Sequence, residues 1–299
     1  MSGPVVLITG ANGQLGWELQ RTAPADVSAI ALDRQALDIT SPASIGAALD
    51  RHRPDVVINA AAYTAVDKAE QEPERAAAAN ADGPRALAEA AASRGIRLIH
   101  VSTDFVFDGT AGTPYRPDAP THPLGVYGRT KRQGEEALLA NPCRSDLQIA
   151  ILRTGWVYSS HGRNFVKTML RLMGERDEVR VVADQVGTPT WARGLAEALW
   201  RIAVWRPLLQ GASQGPIFHW SDAGVASWYD FAVAIQEEAL SLGLLERAVP
   251  VKPITTAEYP TPARRPAYSV LDKSATWSAL GLDPVHWRTA LRSMLCELC

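Results

Sequence analysis

Apolar positions along this chain fall into short runs separated by longer helix-favouring stretches. Val5–Ile8 is apolar throughout, the pattern of a strand covered on both faces. Val27–Leu32, Asp55–Ala61 and Arg97–Thr103 read as further strands. Between them lie Gln14–Ala23, Pro42–His52 and the alanine-rich Pro73–Arg94, which read as helices, with Pro42 suited to a first turn. This alternation predicts a parallel α/β sheet with right-handed crossovers. Further along, helices are expected over Tyr127–Ala140, Asn164–Gly174, Trp191–Trp205, Ser227–Gly243 and Pro284–Leu298. Strands are expected within Leu147–Tyr158 and over Val179–Ala183 and Val251–Thr255. The proline-rich stretches Gly109–Gly125 and Tyr259–Pro266 read as loops, because proline continues neither a helix nor a central strand.

The first predicted strand ends in Gly10, Gly13 and Gly16, spaced G-x-x-G-x-x-G. Glycine permits a tight turn and close backbone approach, and the helix after it aims free N–H groups at a phosphate. The second strand ends in Asp33-Arg34. An acid there takes a ribose 2′-hydroxyl, whereas an arginine takes a 2′-phosphate, so NADH and NADPH both stay open. Ala60-Ala61-Ala62 closes the third strand with side chains small enough for a cofactor to lie against. In such sheets the ligand sits beyond the carboxyl ends of the strands, where Asp33, Ala62 and Thr103 fall.

With 299 residues, 46% of them hydrophobic, the chain has ample core for one large or two modest domains. A net charge of −2 gives no field for nucleic acid, and no apolar run spans a bilayer. The start shows no charged segment followed by an apolar one, so no leader is expected. Cys143, Cys296 and Cys299 make no disulfide framework, and a reducing cytoplasm fits. Cys296-x-x-Cys299 lacks the further ligands a zinc site needs, and no metal site is read from the sequence.

Tyr127-x-x-x-Lys131 places a phenol and an ammonium on one helical face. A nearby ammonium favours phenolate and would draw the tyrosine pKa toward neutrality, making Tyr127 a usable acid or base. Thr103, at the end of the fourth strand, is placed to bond the same substrate oxygen.

These stretches together resemble the extended short-chain dehydrogenase/reductases, and within them the reductases of 4-keto nucleotide sugars. The resemblance is carried by Gly10–Gly16, Gly13–Leu19, Asn59–Glu70, Ser102–Phe107, Val126–Lys131, Arg153–Tyr158, Asn164–Met169 and the proline-rich 259–266. It implies a Rossmann-type doubly wound sheet over roughly 1–157 and a smaller C-terminal α/β substrate domain over 158–299. Segments near 181–205 and 218–243 would return to the first unit. It further implies reduction of the C4 ketone of dTDP-4-dehydro-β-L-rhamnose by NADPH or NADH, the last step of dTDP-L-rhamnose synthesis.

Carried over by position, Tyr127 would donate the proton. Lys131 would hold the nicotinamide ribose and Thr103 the ketone oxygen. Gly13, Gln14 and Leu15 would face the pyrophosphate. Asp33, Asp38 and Ile39 would flank the adenosine, and Ala62, Tyr63, Thr64 and Val101 would complete the cofactor wall. Asp104 and Trp156 would meet the substrate, the indole face lying on the sugar. Arg264 or Arg265 would meet its diphosphate.

Members of this family can dimerise through a magnesium site of three glutamates. Glu18 and Glu297 match two positions, but Arg193 holds the third, which disfavours a metal. A monomer or weak homodimer is expected instead. Phe105 stands where sugar dehydratases carry a glutamate, against dehydration. A same-superfamily epimerase, another nucleotide-sugar reductase and a non-catalytic dinucleotide-binding regulatory subunit stay as alternatives; the intact Thr103, Tyr127 and Lys131 set weighs against the last.

Overall fold

The computed structural model describes residues 3–141, 149–204, 217–283 and 285–299. The expectations on Cys143, Leu147, Trp205 and Pro284 lie outside the described residues.

Strands β1 (Val5–Thr9), β2 (Ser28–Leu32), β3 (Val56–Asn59), β4 (Arg97–Thr103) and β5 (Ile149–Thr154) form one sheet. Further strands are β6 (Val157–Tyr158), β7 (Val179–Val182), β8 (Val186–Gly187), β9 (Thr190–Trp191), β10 (Ile217–His219), β11 (Ala226–Ser227) and β12 (Val251–Ile254). The main sheet has the order β10-β5-β4-β3-β1-β2, and its pairings are parallel. Strand order reverses at β1, so its carboxyl end opens the crevice where such sheets bind ligands.

The helices are α1 (Gln14–Arg21), α2 (Pro42–His52), α3 (Val66–Ala69), α4 (Pro73–Ala77), α5 (Gly83–Ala92), α6 (Val126–Leu139), α7 (Phe165–Glu175), α8 (Ala192–Val204), α9 (Trp228–Ser241), α10 (Ser274–Leu280) and α11 (Trp287–Cys296). The period-2 alternation of strand side chains splits the core between two faces. Val6 and Ile8 pack with Leu15, Leu19, Leu195 and Leu199 from α1 and α8. Leu7 packs on the opposite face with Ile45, Leu49 and Leu87 from α2 and α5. A separate core joins α7, α9 and α11 through Met169, Phe231, Ile235 and Leu291, with Val179 and Val181 of β7. Thus α8 and β10 lie with the main sheet, while β7 and α9 lie with the other core.

The continuous helix expected over Pro73–Arg94 is interrupted by a π-helical turn at Ala78–Asp82. Asn80 in that turn is fully buried. Its amide donates to the Tyr63 carbonyl (3.0 Å) and to Thr130 Oγ1 (3.2 Å), and its Oδ1 accepts from the Tyr63 N–H (2.9 Å). Those bonds fix the loop after β3 against α6 and give the widened turn a structural cause. Alanine content alone carries no signal for it.

Candidate active site

The glycine turn is sterically obligatory. Gly10 has φ 71°, and a Cβ there would lie 3.0 Å from the Ala61 backbone. A Cβ on Gly16 would stand 2.2 Å from the Gly10 carbonyl, a contact no substitution survives without backbone movement. Gly13 precedes α1 with no side-chain cap, so the first N–H groups, at Gln14 and Leu15, stay free for an anion. Beside the turn is a cleft of about 600 Å³ lined by Gly10, Asn12, Gly13, Asp33, Arg34, Gln35 and Asp38. These features fit the adenosine and pyrophosphate of a dinucleotide.

Asp33 is already bonded on that rim. Its Oδ1 accepts from Gln35 and Ala36 N–H groups (both 3.0 Å), and its Oδ2 accepts from Asn12 Nδ2 (3.1 Å). Arg34 is exposed and meets Asp38 only at 3.4 Å, which leaves its guanidinium ready for an added phosphate. Thr40 hydrogen bonds hold the Asp38 carboxyl below its usual range. Ile39 is buried and packs against Gly83 of α5. Ala60, Ala61, Ala62 and Tyr63 are partly buried along the crevice wall, and Thr64 is exposed.

Helix α6 enters this crevice at its N-terminus. Glu70 Oε1 accepts the Val126 N–H (2.7 Å), a carboxylate satisfying an orphan donor at the positive helix end. One turn in, Tyr127 is partly buried, with Phe105 edge-on to its ring at 5.6 Å. Desolvation pushes its hydroxyl up to about 12; a Thr103 hydrogen bond lowers it, and the Asp104 carboxylate raises it further. The expected depression by Lys131 is absent from this arrangement. Lys131 is buried, with Nζ donating to the Val101 carbonyl (2.7 Å) and facing His100 Nε2 (3.1 Å). Burial drives the Lys131 amine down to about 8, with Glu135 opposing. The ammonium is drawn toward β4, and the phenol keeps its proton.

Asp104 is also buried. Thr103 Oγ1 donates to its Oδ1 (3.0 Å), Ser269 bonds it too, and desolvation raises it to about 6. The adjoining Gly155 admits this carboxylate, since a Cβ there would lie 2.5 Å from it. Trp156 follows in the left-handed region (φ 52°), unusual for a bulky residue and characteristic of functional turns. Its ring stacks on Trp228 at 3.5 Å and 4°, so one indole face is already covered. A Cβ on Gly187 would stand 2.6 Å from the same ring.

The two arginines of the proline-rich loop differ. Arg265 donates to Asp67 Oδ2 (2.7 Å), to the Ala263 carbonyl (3.2 Å) and to Thr261 Oγ1. Arg264 is exposed, and none of the described side chains binds its guanidinium.

Arg193 Nη2 pairs with Glu297 (2.7 Å), and its Nε lies 3.7 Å from Glu18; Arg21 also meets Glu297 (3.0 Å). Two guanidiniums facing two carboxylates are not the donor set of a divalent cation, so these residues do not fit the magnesium of the resemblance. Among the described residues no group of three or more His, Cys, Asp or Glu side chains is placed to hold a metal.

Glu70, Asn80, His100, Trp228 and Ser269 were not legible as site residues. Each acts through a contact across distant sequence, and of the five only Glu70 lies in a stretch that carries the resemblance.

A Rossmann-type parallel sheet with a glycine turn at the reversal of strand order, and a Tyr-x-x-x-Lys helix beside it, defines a dinucleotide-binding oxidoreductase. The chain belongs to the RmlD substrate binding domain family, whose pattern matches residues 4–299. It is 44% identical over 291 residues to a dTDP-4-dehydrorhamnose reductase of Aggregatibacter actinomycetemcomitans, covering 97% of each chain. A Streptomyces antibioticus relative, named "Probable dTDP-4,6-dihydroxy-2-methyloxan-3-one 4-ketoreductase", is 46% identical, covering 98% of this chain and 95% of that one. The crystal structure of a dTDP-4-dehydrorhamnose reductase from Bacillus anthracis in complex with NADP superimposes with TM-score 0.87 at 34% identity, covering 99% of each chain.

Proposed function

We propose that this protein reduces the C4 ketone of dTDP-4-dehydro-β-L-rhamnose to dTDP-β-L-rhamnose, with NADPH as the coenzyme. The observation that carries the reading is Thr103, Asp104 and Tyr127 converging at the carboxyl end of β4, beside the glycine turn. The bound dinucleotide supplies the hydride. Gly10, Gly13, Gln14, Leu15 and Gly16 hold its pyrophosphate, Asp38 and Ile39 its adenosine side, and Arg34 the 2′-phosphate. Lys131 anchors the nicotinamide ribose.

Thr103 fixes the ketone oxygen, so reacting atoms meet in a near-attack geometry. Tyr127 then gives its proton to the incipient alkoxide. A phenol held at about 12 stays protonated through the neutral range, as a proton donor in the reductive direction requires. Trp156, stiffened by Trp228, presents its remaining face to the sugar, and Arg264 takes a diphosphate oxygen while Arg265 braces the loop.

In the same reading, 1–157 with α8 and β10 forms the dinucleotide-binding unit, and the core of α7, α9 and α11 supports the sugar nucleotide. With Arg193 in place of a metal ligand, the protein acts as a monomer or weak homodimer. No described helix is long and apolar enough to cross a membrane, and work in the reducing cytoplasm accords with the thiols Cys296 and Cys299.

The test supplies dTDP-4-dehydro-β-L-rhamnose, made in situ, and follows NADPH and NADH oxidation with NMR of the product. Oxidation of NADPH with dTDP-β-L-rhamnose appearing supports the reading; inert coenzyme overturns it. A second reading, a 4-ketoreductase for another dTDP-linked deoxy sugar, is favoured by the 46% identity to the Streptomyces antibioticus relative. Faster turnover of a second dTDP-linked 4-keto sugar in the same assay would select it.

A further inference from the structure

A chain of buried polar groups runs across the main sheet and ends on Lys131. The Ala61 N–H donates to Thr9 Oγ1 (3.2 Å), and Thr9 Oγ1 lies 2.6 Å from the Asn59 side-chain amide. The other arm of that amide faces His100 Nδ1 (3.0 Å), and His100 Nε2 faces Lys131 Nζ (3.1 Å). Thr9, Asn59 and His100 have no exposed surface and Lys131 has 1%. Buried polar atoms without partners are costly, so a chain this deep persists only if its donors and acceptors match.

The direction is set at the Lys131 end. An ammonium carries three hydrogens and no lone pair, so Nζ donates to His100 Nε2 as it does to the Val101 carbonyl. The imidazole hydrogen therefore sits on Nδ1, and the Asn59 side-chain amide turns its oxygen to accept it. The Asn59 nitrogen then faces Thr9 Oγ1, which takes that hydrogen and the Ala61 N–H on its two lone pairs.

We propose that His100 is a positioning residue for Lys131, accepting from Nζ at Nε2 with its tautomer matched by Asn59 and Thr9. The chain starts at Ala61, whose backbone packs against Gly10 of the phosphate turn, so the cofactor wall and the Lys131 amine are set as one rigid unit. Full burial, and after it the Lys131 charge, hold His100 uncharged, well below the usual imidazole range. Glu135 is the further charged group acting on Lys131, and Arg153 engages it bidentately (Nη2 to Oε2, 2.7 Å). His100 is thus the neutral contact that sets where Nζ lies.

This proposal rests on the reading that Lys131 serves Tyr127 and the cofactor. Two substitutions separate the ends of the imidazole: glutamine places a polar atom where Nε2 lies, and asparagine where Nδ1 lies. His100→Gln is expected to retain most of kcat and NADPH affinity. His100→Asn, which keeps Asn59 but loses Lys131, is expected to lose roughly 10²-fold in kcat/KM, the scale of a small misplacement of a catalytic group. NADPH binding by fluorescence titration should weaken in His100→Asn alone. Equal behaviour of the two variants, intact or impaired, overturns the proposal.

Nitrogen-15 NMR of histidine-labelled wild-type protein at pH 7.5 gives a test free of folding defects. A neutral His100 with hydrogen on Nδ1 is expected, and an Nε2–H tautomer overturns the proposal. Lys131→Met and Tyr127→Phe run beside these variants. If both keep full activity, the catalytic reading itself has failed; if both lose activity while His100→Asn does not, only the positioning role has.

Discussion

Arg193 and Glu297 form an ion pair of 2.7 Å, and the same guanidinium lies 3.7 Å from the fully buried Glu18. Ser159 donates to Glu18 Oε1 (2.8 Å) and Ser160 to Glu297 Oε2 (2.6 Å). The carboxylates are thus neutralised inside one chain. Burial nevertheless holds the Glu18 carboxyl above its usual range.

Arg193→Ala is expected to lower stability by about 2 kcal/mol, less than a fully buried pair because the arginine is partly solvated. Arg193→Glu gathers three carboxylates, and its melting temperature should rise on adding Mg²⁺. The wild-type melting temperature and turnover should be indifferent to both Mg²⁺ and EDTA. An EDTA-sensitive wild type would refute this account of Arg193.

Tyr127→Phe removes the proposed proton donor while keeping the ring against Phe105. Turnover should fall by roughly 10²- to 10⁴-fold, with NADPH binding and melting temperature nearly unchanged. Rapid turnover in this variant would move the proton donor elsewhere.

Arg264 and Arg265 should separate cleanly. Arg264→Ala is expected to weaken dTDP binding by roughly tenfold, about 1.4 kcal/mol, with no change in melting temperature. Arg265→Ala breaks the Asp67 ion pair and two loop contacts, so it should lower the melting temperature as well. Calorimetric titration with dTDP, paired with thermal unfolding, reads both.

His219 is buried, contacts Arg153 Nη1 at 3.4 Å, and is pushed down to about 3, chiefly by desolvation and then by that guanidinium. Between about pH 3 and pH 6.5 the unfolded chain therefore binds the proton that the native chain refuses. Stability from this group is complete above pH 6.5 and is lost as pH falls toward 3. From pH 7.5 to pH 5 the loss is about 2 kcal/mol. Asp104 and Asp222, raised to about 6 and about 7, act in the opposite sense over part of that range. A comparison of wild type with His219→Gln cancels them, because both proteins carry both acids. The stability deficit of His219→Gln in urea unfolding should shrink at pH 5; a deficit that stays constant with pH would count against this titration.

What was legible in the sequence followed from local rules. The strand patterns at Val5–Ile8 and Arg97–Thr103 placed β1 and β4, and Gly10, Gly13 and Gly16 marked a turn where, at Gly16, neighbouring backbone leaves no room for a Cβ. The helix expected from Ser227 begins there, where Ser227 and Asp230 close a reciprocal box at the start of α9. The pairing of Tyr127 with Lys131 was read from their i,i+4 spacing, but spacing does not say where a flexible amine points. His100, in sequence an ordinary residue inside a strand, draws Nζ toward β4. Likewise, nothing in a poly-alanine stretch announces that Asn80 must reach both Tyr63 and Thr130.

The π-helical turn at Ala78–Asp82 also restricts how this protein can change over generations. Gly134 of α6 sits where a Cβ would be 2.2 Å from the Asn80 carbonyl, so the bulged turn and the helix bearing Tyr127 interlock like a key in a ward. A one-residue deletion in 78–82 would yield a more regular helix and, by rotating Asn80 away, release the catalytic helix from its register. Length variation in this family should therefore gather in loops such as Gly109–Gly125, while the irregular turn keeps its residue count.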